Sequence, residues 1–369
     1  MASNLLMRIP YLRRPFHQRD VARRERDAAL WQVQEMRRTA QRAERAAAGR
    51  PDDAPPFRDV AAWFAAEQFY WRPDQDADQD ARIGAFRHFV QTHVAKDRPT
   101  AEIGPSLSPV LAKRLGYDVT VVDHADQTAL IEKYAAQNLD TSRIEPVDVV
   151  WTGGRLAPAM PRRDMADIVA CHMIEHATDF VGFLDDCTDM LADDGRIFLI
   201  VPDRRYCFDF MHASTDVAKV VEDHRLQRRL HSFASLYRLT TNMAARVGGG
   251  TTIAWGPHPI EDIDFVHGDP SGVIESVCAA TDYIDGHENY FTPSSFVLLI
   301  EELRYLGLLR LAPTIVTRAR GCEFLVVLAK REQDRPPLPE YLERKKFLML
   351  NMLREERERL NLIGGLLDG

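Results

Sequence analysis

The chain has 369 residues, 45% of them hydrophobic and 28% charged, which suits a globular protein with a sizeable core and allows one large domain with additions or two modest ones. Its net charge of −8 is unevenly spread: residues 1–50 hold 12 arginines against 5 acidic residues, leaving an excess of 15 negative charges on the rest, and so acidic a body excludes a nucleic-acid substrate held in a basic groove. No apolar run reaches the ~18 residues of a membrane span. The start MASNLLMRIPYLRRPF is interrupted by proline and arginine, so no secretory signal is expected. Cys171, Cys187, Cys207, Cys278 and Cys322 form no C-x-x-C pair and read as buried thiols of a cytoplasmic protein.

Asp20 to Ala48 contains neither proline nor glycine and is rich in Ala, Arg, Glu and Gln, which predicts one long helix within a basic arm, residues 1–50. Its thin apolar stripe allows a coiled coil, and a homo-oligomer with it. Arg13, Arg14, Arg19, Arg23, Arg24 and Arg26 crowd its start beside Leu5, Leu6, Ile9, Tyr11, Leu12 and Phe16, a combination that suits peripheral attachment to an anionic inner membrane face or an acidic partner. A solvated helix is the plainer alternative. Residues 51–98 read as a helical lid, with Val60, Trp63, Phe64, Phe69 and Trp71 too apolar to leave in water.

From Thr100 to Arg205, short apolar runs alternate with helical patterns, as the parallel strands of a doubly wound α/β sheet do. Ala101–Ile103 is the first strand, and Gly104-Pro105-Ser106-Leu107 its turn. Ser108 as N-cap, Pro109 at the first helical position and Gly116 past the end bracket a predicted helix. Val119–Val122 ends in Asp123, placed to accept ribose hydroxyls, but the turn lacks the second glycine on which close approach of a pyrophosphate relies. A nucleoside donor without phosphates, S-adenosylmethionine, fits better. Residues 127–137 are helical, Val147–Trp151 is the third strand, and Trp151 stacks on adenine or joins the core. Asp167–Cys171 is the fourth strand, Phe180–Leu191 a helix, Asp193-Asp194-Gly195 a turn, and Arg196–Val201 the fifth strand. Residues 203–290 exceed any minimal connection and read as an insertion covering an acceptor site. Thr292–Leu306 is a helix with Thr292 as N-cap, and 309–318 with 322–329 make two final strands about a turn at Arg320-Gly321. The tail from 331 is amphipathic, with Leu342, Phe347, Leu348, Leu350, Met352, Leu353 and Leu360 to be packed on its own domain or on a second subunit.

E-x-G at the first strand, the acidic end of the second and H-x-x-E-H after the fourth resemble class I S-adenosylmethionine-dependent methyltransferases, whose Rossmann-like sheet has an antiparallel final strand. LIEKYAAQNLDTSRIEPVDVVWTGG, VPDRRYCFD and HENYFTPSSFVLLIEELRYLGLL resemble a type 11-like bacterial subgroup associated with polysaccharide biosynthesis, over roughly Pro99 to Lys330. The resemblance implies a methyltransferase domain over 99–330. It implies a donor site of Glu102, Gly104, Pro105, Ser106, Asp123, His124, Trp151 and His172, with oxygen methylation of a sugar or glycan precursor. A small-molecule or quinone-type acceptor and a non-catalytic scaffold are the alternatives.

A hydroxyl acceptor must lose a proton, which requires a general base or a metal. His172, Glu175 and His176 are the candidates, His172 beside the donor and the other two facing the acceptor. The bland readings make Glu175 a helix cap and His176 a satisfied histidine. Some small-RNA and quinone-pathway methyltransferases hold magnesium with E-x-x-E-H. His172 in place of the first acid argues against that hard cation, though a divalent metal stays open. H-x-x-E-H is also the motif of inverted zinc proteases, but there both histidines lie inside a helix, and here the first ends a strand. Asp203, Arg204, Tyr206, His224 and His287 are expected on the acceptor side, Arg204 and Arg205 for an anionic group. His231 and His267 are further histidines of the insertion.

Overall fold

The computed structural model describes residues 84–247, 252–266, 270–279, 284–331 and 335–367. The expected basic arm, most of the expected lid and His267 lie outside the described residues. Seven strands form one sheet: β1 Thr100–Ile103, β2 Val119–Asp123, β3 Val149–Val150, β4 Met165–Cys171, β5 Leu191–Pro202, β8 Leu311–Val316 and β9 Glu323–Lys330. Their spatial order is β3-β2-β1-β4-β5-β9-β8. The first five are parallel, and β9 runs antiparallel to both β5 and β8. This is the expected Rossmann-like sheet with an antiparallel ending. The chain departs from β1 in one direction and from β4 in the other, so the carboxyl ends of β1, β2 and β4 open on a shared crevice.

Period-two alternation assigns each strand's side chains to two faces. On one face Ile197, Leu199 and Val201 of β5 join Ile168 and Ala170 of β4 beneath α3 (Phe180–Met190) and α7 (Pro293–Tyr305). On the other, Phe198 and Ile200 join Val169 and Cys171 beneath α1 (Ala85–His93), whose Phe86 and Val90 are fully buried. Each such large side chain contributes roughly 1.5–3 kcal/mol by leaving water. Thr292 caps α7 through a capping box with Ser295, with Pro293 at its first position, as expected. After the second strand comes α2, Gln127–Ala135, capped by Asp126.

Three local expectations are corrected. The helix bracketed by Ser108 and Gly116 is only a 3₁₀ turn at Lys113–Leu115, although Gly116 does end it in the left-handed region. The buried Glu102 carboxylate takes the N–H groups of Val110 at 2.6 Å and Leu111 at 2.9 Å, directing to a side chain the donors that a helix would use. Asp193-Asp194-Gly195 does not precede β5 but forms a bulge within it, since Met165 pairs with Leu191 and Asp167 with Arg196. A side chain at Gly195 would come within 2.9 Å of the Met165 carbonyl. The third strand is two residues long, not five.

The insertion contains α4 (Val217–Arg225), α5 (Phe233–Thr241), a hairpin of β6 (Met243–Val247) with β7 (Asp262–Val266), and α6 (Pro270–Ala279). The tail forms α8, Leu338–Leu362, which buries Leu348 and partly buries Phe347 and Met352 on the core, while Leu342, Leu350 and Leu353 stay exposed. No described helix is long and apolar enough to cross a membrane.

Candidate active site

A cavity of about 570 Å³ lies at the carboxyl ends of β1, β2 and β4. Its floor is the turn Gly104–Ser108. Gly104 sits at φ +69° with Met173 packed where a side chain would project, and Ser106 adopts φ +43°. Asp123 is almost wholly buried and ties this turn to its own strand. One carboxylate oxygen accepts the Ser106 N–H at 2.9 Å, and the other accepts the His124 N–H at 2.8 Å and lies 2.7 Å from His124 Nδ1. Gly104, Pro105, Ser106, Asp123, His124, Trp151 and His172, all expected at the donor site, line the cavity together. Trp151 bonds the Gly154 carbonyl at 3.2 Å and leans on Phe183, so it borders both cavity and core.

Glu102 is a correction. Buried beneath the turn, it holds Val110 and Leu111 and is absent from the cavity wall. Burial pushes its carboxyl up to about 7, against the pull of those two N–H bonds. Glu102 shapes the loop without facing the cavity.

His172 lies on the wall in a left-handed conformation, φ +52°, which a non-glycine residue adopts only where its surroundings enforce it. Its N–H bonds the Ile200 carbonyl, and its Nε2 lies 2.7 Å from Glu323 on β9. Glu175 follows in a 3₁₀ turn, Ile174–His176. It is completely buried, does not line the cavity, and neither carboxylate oxygen has a hydrogen-bond partner among the described residues. Both the expectation that it faces the acceptor and the plainer one that it caps a helix are therefore corrected. Three imidazoles surround its Oε1: His172 Nδ1 at 3.7 Å, His287 Nε2 at 3.8 Å and His176 Nε2 at 3.9 Å. Each ring has a carboxylate at its other nitrogen: Glu323 for His172, Asp285 at 3.2 Å from His176 Nδ1, and Asp209 at 2.6 Å from His287 Nδ1. Burial alone would lower His287, but Asp209 lifts it above its ordinary value, and His287 and His212 in turn hold the buried Asp209 well below the usual carboxylate range. The His176 imidazole beside it likewise depresses Asp285.

His224 reaches the wall with its Nδ1 2.9 Å from Asp179, the N-cap of α3. His287, expected on the acceptor side, instead stands behind Glu175, outside the wall. Asp203, Arg204 and Tyr206 are corrected outright: all three are buried away from the cavity. Asp203 accepts from the Arg205 backbone at 3.0 Å and from its guanidinium at 2.9 and 2.6 Å. Arg205 also pairs with Glu358 of α8, and Arg204 with Glu356 and Ser214. Burial pushes Tyr206 up to about 12 and brings Arg204 down to about 10. This cluster anchors the last helix to the exit of β5. Sequence reasoning missed Asp209, Asp285 and Glu323, because no local spacing says which loop closes on which strand end.

The sequence matches no protein-family model and no curated protein. Among solved structures, the chain is similar to the CcbJ methyltransferase from Streptomyces caelestis, at 13% identity over 71% of this chain and 99% of that one, with a TM-score of 0.36. It is also similar to an S-adenosylmethionine-dependent methyltransferase from Clostridium acetobutylicum, at 11% identity over 75% and 99% of the two chains and a TM-score of 0.33. The glycopeptide N-methyltransferase MtfA, solved with S-adenosylhomocysteine, gives 12% identity, 75% and 98% coverage and a TM-score of 0.33. Likenesses at this level assign neither donor nor acceptor to this chain.

Proposed function

We infer that the chain is an S-adenosylmethionine-dependent methyltransferase acting on a hydroxyl of a sugar or glycan precursor. The observation that carries this reading is the cavity at the point where the sheet reverses direction, with the Gly104 turn and Asp123 on one side and His172 on the other. Asp123 would receive the ribose, and the Gly104–Ser106 turn the amino-acid end of the donor. The sugar acceptor rests on the segments that resemble the polysaccharide-associated subgroup.

Methyl transfer breaks the sulfonium S–CH₃ bond as the acceptor oxygen forms the new O–CH₃ bond, and the oxygen's proton must go to a base. The protein chiefly aligns the two reactants and excludes water. His172, on the cavity wall, is the base: Glu323 holds Nε2, which leaves Nδ1, 3.7 Å from Glu175, as the nitrogen to take the proton. The donor half is tested by calorimetry with S-adenosylhomocysteine. We expect one site, weakened about 10–100-fold in Asp123→Ala with circular dichroism unchanged. Absence of binding by the unaltered protein overturns the reading. Mass spectrometry of glycans from cells with and without the protein tests the acceptor, where a methyl increment on none of them sinks the sugar assignment.

A further inference from the structure

We propose that Glu175, His176 and His287 bind a divalent transition-metal ion of the zinc, cobalt(II) and iron(II) class. One ligand atom from each of the three lies within 4.8 Å of the others. A fully buried carboxylate with no hydrogen bond among the described residues is costly in itself, because ionised oxygens removed from water must find a cation or a donor. Here the groups turned towards it are imidazole nitrogens, His176 Nε2 at 3.9 Å and His287 Nε2 at 3.8 Å. Asp285 and Asp209 engage the opposite nitrogens of these rings. Such carboxylate–histidine pairs fix ring orientation and raise ligand basicity in metal sites.

The backbone is organised around the same point. The Glu175 carbonyl accepts the N–H groups of Glu288 at 2.8 Å and Asn289 at 2.9 Å, and Asn289 Nδ2 bonds the Ala177 carbonyl at 2.8 Å. The segment carrying His287 is thereby tied to the turn carrying Glu175 and His176. Metal bonds of about 2.0–2.2 Å in a tetrahedral arrangement separate ligand atoms by about 3.3–3.5 Å, so the three groups, whose ligand atoms now lie within 4.8 Å of one another, must draw together on binding. Two nitrogens and one oxygen favour zinc or its neighbours over magnesium and calcium, which prefer oxygen. His176 also lines the cavity, which leaves open coordination positions facing the space where an acceptor hydroxyl would lie. The competing account is a proton shared among these imidazoles and carboxylates, with no metal at all.

The test uses the full chain, stripped with chelator and titrated separately with Zn²⁺, Co²⁺ and Mg²⁺. We expect one equivalent of zinc by calorimetry, a visible cobalt absorption band, and no displacement of either by millimolar magnesium. His287→Gln and Glu175→Gln should each abolish stoichiometric binding, and Asp209→Asn should weaken it about 10–100-fold. Circular dichroism checks folding, and His176→Asn, altered on the cavity side, replaces any variant that fails to fold. Absence of zinc and cobalt binding by the unaltered protein, or undiminished binding in folded ligand variants, overturns the site in favour of the shared proton or of other histidines. S-adenosylhomocysteine affinity, measured in the same metal-free protein, reports on the donor site alone, so failure of one proposal is distinct from failure of the other.

Discussion

Two buried, charge-rich regions leave the carboxyl ends of neighbouring strands. After β5, Asp203 has three hydrogen bonds from Arg205, and the arginines continue to glutamates of α8. After β4, Glu175 is equally buried and has no hydrogen bond among the described residues, with three imidazoles arrayed at 3.7–3.9 Å. Burial and charge alone do not separate a site from a structural anchor. The separating feature is whether the charge is already compensated. Breaking a hydrogen-bonded buried pair strands the remaining partner, whereas a carboxylate faced only by imidazoles beyond hydrogen-bond reach keeps a cost that a ligand, a metal or a proton can offset.

The sharpest way to break this contrast is on the reaction. His172→Asn should lower turnover on the acceptor returned by the glycan comparison about 10²–10⁴-fold while donor affinity holds, and Glu323→Gln should lose part of the same factor. Unchanged turnover in His172→Asn would remove the base from the β4 side. On stability, Asp203→Asn should cost about 3–5 kcal/mol in urea unfolding, because it removes the buried charged partner of the Arg205 guanidinium and leaves it only the exposed Glu358. Glu175→Gln in metal-free protein should cost little or be stabilising, since the carboxyl it replaces has no hydrogen bond among the described residues. Equal losses in the two variants would erase the distinction.

A smaller effect concerns Glu102, which belongs to neither class: it is buried and doubly hydrogen-bonded, yet lifted to about 7. In the unfolded chain it ionises near 4.5. Between these values the folded state binds the proton more tightly, so stability is greatest below about 4.5 and falls as pH rises through about 7, by roughly 3 kcal/mol in all. Urea titrations across that window should show the slope in the unaltered protein and its loss in Glu102→Gln. A Glu102→Gln protein that keeps the slope would assign it to another group.

The sequence by itself determined the parallel strands, the Thr292 cap of α7 and the antiparallel hairpin about Gly321, because these depend on local alternation, capping chemistry and turn residues. It also brought out Gly104, Ser106, Asp123 and His172, which line the cavity, since in a doubly wound sheet the crevice opens where strands end. It failed where side chains compete with the backbone. The helix after Ser108 yielded to Glu102, and VPDRRYCFD read as an acceptor site because arginines beside a strand end look alike whether they await a ligand or are already paired. Only the tertiary structure decided that α8 supplies Glu356 and Glu358 to those arginines. It also placed His287, Asp285, Asp209 and Glu323, from distant segments, around the H-x-x-E-H turn. The physical reason is that compensation of a buried charge is a long-range property: the partner is chosen by packing, and a strand's residue pattern carries no record of which loop will close over its end.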